Sequence, residues 1–284
     1  MKTFKTAFLL TALTLLLLFI GQALGGRGGM TIALGIAILM NGIAYFFSDK
    51  IAIASAGAKP VSREQAPRLY AVMERLAAKA NLPMPKLYLI PQPAPNAFAT
   101  GRNPSHASVA VTEGLMQLMN DDELEGVIAH ELSHVRNYDI LTSSIAATLA
   151  GAITWIAEMG RWGMIFGGFG GGDRDREGGG LTALLMLIVA PLGALLLQLG
   201  ISRQREYQAD ASGASMVGHP YGLISALEKL GAYNKRIPMD VPASTSALMI
   251  VAPLSAGQMF SSLFSTHPPL ADRIAALRSM TVTR

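Results

Sequence analysis

Four long apolar runs restrict this 284-residue chain to folds that place helices in a lipid bilayer. Each run has about 18–21 residues, enough for a helix to cross roughly 30 Å of hydrocarbon. Half of the chain is hydrophobic (51%), only 15% is charged, and the mean hydropathy is +0.37. This composition is too apolar for an ordinary soluble domain and too varied for a bundle of membrane helices alone. The runs, predicted as four transmembrane helices, are Ala7–Leu24, Met30–Phe47, Ile140–Met159 and Leu181–Ile201.

The runs divide the chain into two membrane parts and two polar parts. Residues 1–47 are predicted to form a transmembrane hairpin, and residues 140–201 a second transmembrane pair around a glycine-rich loop at 160–180. The polar parts, residues 48–139 and 202–284, together have the size of one domain, so we expect them to pack as a single unit. The first run also fits a cleaved signal peptide, but the second run follows so closely that an uncleaved anchor is favoured.

Charge near the ends of the runs predicts the orientation of the chain. Lysine and arginine favour the cytoplasmic side, which places both termini and both polar parts in the cytoplasm. The basic residues lack interleaved aromatic residues, so we expect no nucleic-acid partner, and the absence of cysteine excludes thiolate ligands and disulfides. Basic residues on the predicted cytoplasmic side are Lys2, Lys5, Lys50, Lys59, Arg136, Arg203 and Arg205, against Arg27, Arg161, Arg174 and Arg176 on the other.

The segment His130-Glu131-Leu132-Ser133-His134 is an H-E-x-x-H pattern in a predicted helix. Asn120 is a good N-cap and Glu123 stands three residues later, which is the capping-box spacing at a helix start. Residues four apart share a helix face, so both imidazoles can reach one zinc ion at about 2 Å. Glu131 can then contact water at the metal without being a ligand. The pattern predicts a zinc hydrolase, against the plainer interpretation of two surface histidines.

A catalytic zinc needs a third protein ligand and an open position. Glu206 and Asp210 follow the fourth run and are four residues apart, so they share a helix face. An even number of predicted spans separates them from the histidines, which puts all four residues on one side of the membrane. One acid can bind the metal while the other hydrogen-bonds a ligand histidine. The alternative is a solvated charged stretch in which Glu206 pairs with a neighbouring arginine.

Two short apolar segments, Lys86–Ile90 and Ala107–Thr112, are predicted to be β-strands. The segment Asn96–Thr100 follows a proline-rich stretch and is a candidate edge strand, on which an extended substrate could lie through main-chain hydrogen bonds. An ordinary hairpin edge explains the same pattern. Ser62–Asn81 and Leu270–Met280 are predicted to be helices.

With these motifs, the chain resembles the membrane-integrated gluzincin peptidases over nearly its whole length. The resemblance rests on H-E-L-S-H at 130–134, E-x-x-A-D at 206–210, N-A-F-A at 96–99 and S-T-H-P-P at 265–269, with Arg273 further on. It implies an α-helical membrane protein with an α+β zincin-like catalytic domain, mostly helical with a small sheet. It also implies an inner-membrane zinc endopeptidase that acts on misfolded or damaged membrane proteins in quality control and stress response.

The resemblance implies a role for each candidate site residue. His130, His134 and Glu206 would hold one zinc ion per chain, and Asp210 would orient one of the two histidines. Glu131 would serve as the general base. The oxyanion needs a second stabiliser, for which His267 and Asn96 are the candidates. The site residues are His130, Glu131, His134, Glu206 and Asp210, with His267 and Asn96 as further candidates.

Two other functions compete with a peptidase. A catalytically silent membrane chaperone or scaffold with a structural zinc would use the same ligands, but it would need no base beside them, so Glu131 favours the enzyme. A small transporter is disfavoured because the predicted spans contain few ionisable residues. The predicted partners are therefore polypeptide substrates and the lipid bilayer.

Overall fold

The computed structural model describes residues 2–165, 202–234, 236–239, 241–253 and 267–280. The predicted fourth span, Leu181–Ile201, lies outside these residues, as does the predicted loop from residue 166 onward.

Helix α1 (Lys2–Ser55) is a helical hairpin rather than one straight rod. Its helical geometry breaks at Gly25 and Gly26, where Gly26 has φ +55°, a backbone conformation that suits glycine. Across the hairpin, the Asn41 side-chain amide donates to Leu10 O at 3.2 Å and to Thr14 Oγ1 at 2.8 Å. Residues 2–55 therefore form a helical hairpin, and its second arm continues to Ser55, beyond the predicted end at residue 47.

Helix α5 (Asp139–Ile165) packs against the hairpin. Within the described residues, one helix segment, Gly25–Ser55, is long and apolar enough to cross a membrane, and Thr6–Gln22 and Asp139–Ile153 are shorter apolar helices. A hydrogen bond of 3.1 Å between the Thr6 and Thr142 hydroxyls joins α1 to α5. The helix extends into the segment predicted as a loop from residue 160. Buried side chains between the two helices are Leu9, Leu13, Ala44, Ile145, Ala146, Leu149 and Ile153.

A four-stranded mixed sheet has the order β1-β2-β4-β3. Strand β1 is antiparallel to β2, β2 is parallel to β4, and β3 is antiparallel to β4. Strands β2 and β4 match their predicted bounds, and β3 is the candidate edge strand, displaced by one residue. The strands are β1 (Lys59–Pro60), β2 (Lys86–Ile90), β3 (Ala97–Gly101) and β4 (Ala107–Thr112).

Helix α4 (Asp121–Arg136) is the centre of the polar domain because it packs against strand β3 and against helices from both halves of the chain. It contacts α2 (Pro67–Lys79) from the first half, and α6 (Arg203–Val217) and α7 (Tyr221–Asn234) from the second. Helices of the two polar parts therefore pack against each other. The remaining helices are α3 (Glu113–Leu118), α8 (Ala243–Ser246) and α9 (Leu270–Arg278), with a 3₁₀ turn at Pro104–His106.

A sharp junction connects the polar domain to the apolar helix α5. Helix α4 ends at Arg136, and Tyr138 adopts the left-handed conformation with φ +59° before α5 starts at Asp139. The second histidine of the H-E-x-x-H pattern thus lies within one helical turn of this junction. The fold places the candidate site next to the apolar helices.

Candidate active site

The start of α4 is fixed by the predicted capping box. The Asn120 carboxamide oxygen accepts from the Glu123 N–H, and the Glu123 carboxylate accepts from the Asn120 N–H, both at 2.9 Å. Lys229 and Ser225 of α7 donate to the same carboxylate at 2.7 and 2.6 Å. Burial alone would raise the pKa of Glu123, but these donors lower it overall. The helix that carries the histidines is therefore anchored at its start by its own capping box and by two donors from α7.

Three side chains converge on one point between α4 and α6. His130 Nε2 lies 3.3 Å from His134 Nε2 and 3.7 Å from Glu206 Oε2, and His134 Nε2 lies 3.5 Å from Glu206 Oε1. Ligand atoms about 2.0–2.2 Å from a tetrahedral zinc lie about 3.3–3.6 Å from one another. The donor set of two imidazole nitrogens and one carboxylate, at these separations, therefore fits a zinc ion.

His130 is oriented by Asp210, one turn after Glu206 on α6. Its Nδ1 lies 2.9 Å from Asp210 Oδ1, so Nε2 faces the convergence point. This identifies the histidine that Asp210 contacts, which the sequence left open. Burial lowers the pKa of His130 despite the nearby Asp210, which favours the neutral ring that binds metals.

Arg273 of α9 neutralises Asp210 inside the protein. It donates to the two Asp210 oxygens at 2.8 and 2.6 Å, and it is fully buried. Burial would raise the pKa of Asp210, but Arg273 and then His130 lower it overall. Arg273 also donates to Ile250 O at 2.9 Å, so it joins α9, α6 and the 241–253 segment around His130.

His134 has a second acidic neighbour that the sequence analysis did not propose. Its Nδ1 lies 3.5 Å from Asp139 Oδ2, and Asp139 Oδ1 lies 3.5 Å from Arg205 Nη1. Burial would lower the pKa of His134, but Asp139, Glu206 and Glu131 raise it overall. An acid at the start of the third apolar run, five residues after His134, was the available signal.

Glu131 lies beside the three converging donors and lines the same cleft. It is almost fully buried and accepts a hydrogen bond from the main-chain N–H of Ala99 on β3. Burial, with a smaller contribution from Glu206, raises its pKa to about 7. The cleft has a volume of about 30 Å³, more than the roughly 10–15 Å³ that one water molecule needs. A carboxyl group whose pKa is raised to about 7 is thus held next to the candidate metal position.

The structure brings His267 into the cleft and gives Asn96 other partners. His267 Nδ1 lies 3.3 Å from Glu206 Oε2, and its Nε2 lies 3.2 Å from Ala247 O. The Asn96 amide donates to Val251 O at 2.8 Å, and its oxygen accepts from the Ala97 N–H at 3.1 Å. Asn96 therefore ties β3 to the 241–253 segment. An oxyanion role for His267 or Asn96 stays a prediction.

Two imidazoles and a carboxylate around one point, beside a second, buried carboxyl group, define a metal-dependent hydrolase site. The sequence model of peptidase family M48 matches residues 63–281, and the chain belongs to this family. It is a membrane metallopeptidase.

Named relatives extend the match over nearly the whole chain, including the apolar helices. The chain is 58% identical over 273 residues to a Protease HtpX homolog of Desulfatibacillum aliphaticivorans, covering 96% of this chain and 88% of that protein. It is 52% identical over 283 residues to a Protease HtpX homolog of Syntrophotalea carbinolica, covering 99% and 100%. The resemblance to the membrane-integrated gluzincin peptidases is thereby confirmed, and the relatives named here are homologs of the protease HtpX.

A solved structure shares the fold. The crystal structure of S. mikatae Ste24p aligns with a TM-score of 0.51 and 21% identity, covering 97% of this chain. This chain spans 64% of the length of that one. The mostly helical architecture with a small mixed sheet is therefore that of the M48 fold.

Proposed function

We propose that this protein is a zinc endopeptidase of the bacterial inner membrane that cleaves misfolded or damaged membrane proteins. The observation that carries the proposal is the convergence of His130, His134 and Glu206 beside the buried carboxyl group of Glu131. A silent scaffold with a structural zinc would need the three ligands, but it would have no use for Glu131 with a pKa near 7.

Each residue has one task in the proposed reaction. His130, His134 and Glu206 would hold a zinc ion, which acidifies bound water and polarises the scissile carbonyl. Glu131 takes a proton from the attacking water and passes it to the leaving amine. Its burial supports this role, because a carboxylate without hydration is a stronger base than one in water. Asp210 keeps His130 Nε2 directed at the site.

The position of the site supports a substrate near the membrane surface. Helix α5 begins five residues after His134, and α1 and α5 are the apolar helices of the described chain. Strand β3 lies at the sheet edge next to Glu131, where an extended chain can be held by main-chain groups. Recognition of the main chain tolerates many sequences, as removal of damaged proteins requires.

The substitution Glu131→Gln tests the mechanism. The purified variant should keep its zinc, because no ligand is changed, and should lose about 10²–10⁴-fold in kcat on an unfolded polypeptide. Glu125→Gln is the matched control, since Glu125 lies on the same helix and pairs with Arg75 on the far surface. Glu206→Ala should lose the metal itself. Unchanged cleavage by Glu131→Gln would exclude Glu131 as the base.

We further propose four transmembrane helices, with residues 48–139 and 202–284 as one cytoplasmic catalytic domain. The natural chain has no cysteine, so single-cysteine variants report topology without background labelling. Gly28→Cys, in the hairpin turn, should react with an impermeant thiol reagent from the periplasm. Ser279→Cys, after α9, should react only after the membrane is opened. Labelling of both from the same side would contradict the topology.

A further inference from the structure

A groove separate from the metal cleft lies between α1, α5 and the 241–253 segment. Its volume is about 590 Å³, which is within the roughly 300–1,000 Å³ of ligand pockets. Ile43 is 39% exposed, so the groove opens to the outside of the described chain. Its main walls are Met40, Ile43 and Ile51 of α1, Ala147 and Ala152 of α5, and Leu248.

The lining of the groove selects an apolar occupant. None of the described residues that line it is charged, and its polar members are hydroxyl groups from Ser55, Thr148, Ser244 and Thr245. A charged occupant would lose its hydration without gaining a partner, which is costly. Hydroxyl groups, in contrast, can bond to the amides of a peptide main chain, whereas an acyl chain offers them nothing.

The groove adjoins the metal cleft, because Leu248 lines both. The cleft is much the smaller of the two, at about 30 Å³ against about 590 Å³, so most of a substrate's residues beside the scissile bond lie outside it. A chain that leaves the cleft beside Leu248 therefore meets the groove.

We propose that the groove binds an extended apolar stretch of the polypeptide substrate that adjoins the scissile bond. This inference rests on the proposed peptidase function and adds a specificity site to it. The enzyme then selects chains in which an apolar stretch, such as the end of a membrane segment, lies beside the cleavage site. The shared wall at Leu248 favours a polypeptide over a lipid, since the residues beside a scissile bond belong to the same chain as the bond in the cleft.

The test compares quenched fluorescent peptides with a common cleavable centre. One set carries four alternating Leu and Val residues on the N-terminal or C-terminal side of the centre, and the other set carries Ser and Gly there. Ile43→Trp narrows the groove of the full-length zinc protein. Ile38→Trp is the matched control, because Ile38 is on the same helix, is 65% exposed and does not line the groove.

Wild-type protein should prefer the apolar flank on one side by about tenfold or more in kcat/KM, the factor expected for one buried aliphatic side chain. Ile43→Trp should reduce this preference about tenfold, and Ile38→Trp should keep it. Equal preference in wild type and Ile43→Trp, or none in wild type, overturns the inference. Cross-linking to a photoactivatable lipid that falls in Ile43→Trp while the peptide preference stays would assign the groove to lipid and also overturn it.

The outcomes of these experiments distinguish an error in the proposed function from an error in the groove inference. If wild type cleaves neither peptide set, or if Glu131→Gln cleaves both as fast as wild type, the peptidase mechanism is wrong and the groove inference falls with it. If cleavage depends on Glu131 but the flank has no effect, the groove inference alone is wrong.

Discussion

Asp139 Oδ2 lies 3.5 Å from His134 Nδ1, which places the first residue of the apolar helix α5 against the second histidine of the candidate metal site. Arg205, next to Glu206 on α6, lies 3.5 Å from the same carboxylate. The arrangement parallels that of the first histidine, where Asp210 lies between the ring and an arginine. Each histidine thus has a carboxylate beside its Nδ1, and each of these carboxylates is paired with an arginine.

This relationship predicts that Asp139→Ala weakens metal binding without removing a ligand. Loss of a partner behind a ligand histidine typically lowers metal affinity about 10–100-fold. Chelator competition on the purified protein measures the zinc affinity. The affinity of Asp139→Asn should lie between those of wild type and Asp139→Ala, because asparagine keeps an acceptor oxygen. Asp121→Asn is the control, since Asp121 pairs with Arg68 on the exposed surface. Equal zinc affinity in Asp139→Ala and wild type would show that the 3.5 Å contact does not hold the ring.

The raised pKa of Glu131 predicts an acid limb in the pH profile. Burial raises this pKa to about 7, and only the carboxylate form acts as a base. Activity should therefore rise as the pH increases through the pKa of Glu131. A bound cation favours the carboxylate, so it would place the midpoint of this rise at about pH 7 or below. The measurement is kcat/KM from about pH 5 to about pH 9, with zinc content determined at each pH to separate loss of metal from protonation. A flat profile with constant zinc would contradict the role of Glu131.

The buried Arg273–Asp210 pair predicts an asymmetric stability effect. Arg273→Met leaves the Asp210 carboxylate buried without its main partner, which costs about 3–5 kcal/mol. Arg278→Ala, five residues later on the exposed end of α9, breaks only its surface pair with Glu228 and should cost less than about 1 kcal/mol. Denaturant unfolding of the metal-free protein compares the two.

The double variant Arg273→Met/Asp210→Asn sharpens this prediction. Removing both charges avoids an isolated buried carboxylate, so the double variant should be more stable than Arg273→Met alone. If Arg273→Met and Arg278→Ala lowered the free energy of unfolding by similar amounts, the buried pair would contribute no more to stability than a surface pair.

Local signals in the sequence predicted the site residues whose spacing is set by one helix. The Asn120 capping box and the four-residue spacing of His130 and His134 follow from helical geometry, and the structure has both. Glu206 and Asp210 share a face of α6 for the same reason. Strands β2 and β4 were predicted from the apolar alternation of two short segments, which is also a local signal.

Contacts between distant parts of the chain could not be predicted in this way. Arg273 and Asp210 are 63 positions apart, and their pairing depends on how α9 packs against α6. The choice of His130 over His134 as the partner of Asp210 depends on the rotation of α6 relative to α4. The hydrogen bond from the Asn96 amide to Val251 O joins residues 155 positions apart, and it depends on how the 241–253 segment packs beside β3.

Gly213 sets the distance between α6 and α4 and supplies a last prediction. A Cβ at this position would lie 3.0 Å from His130 N and 3.1 Å from Ala129 C, which are main-chain atoms that cannot move alone. Gly213→Ala should therefore displace α6 and, two turns earlier on this helix, the carboxylate of Glu206. We expect zinc affinity to fall about tenfold or more, although alanine favours a helix by about 1 kcal/mol over glycine.

The control for this prediction is Gly42→Ala in α1, where an added Cβ would meet nothing within 4 Å. Zinc affinity is measured by chelator competition, and helix content by circular dichroism shows whether each variant is folded. A folded Gly213→Ala protein that binds zinc as tightly as Gly42→Ala would mean that the α4–α6 distance can increase without separating the carboxylate from the imidazoles. In that case Glu206 reaches the metal position through side-chain adjustment, and the close approach at Gly213 serves packing alone.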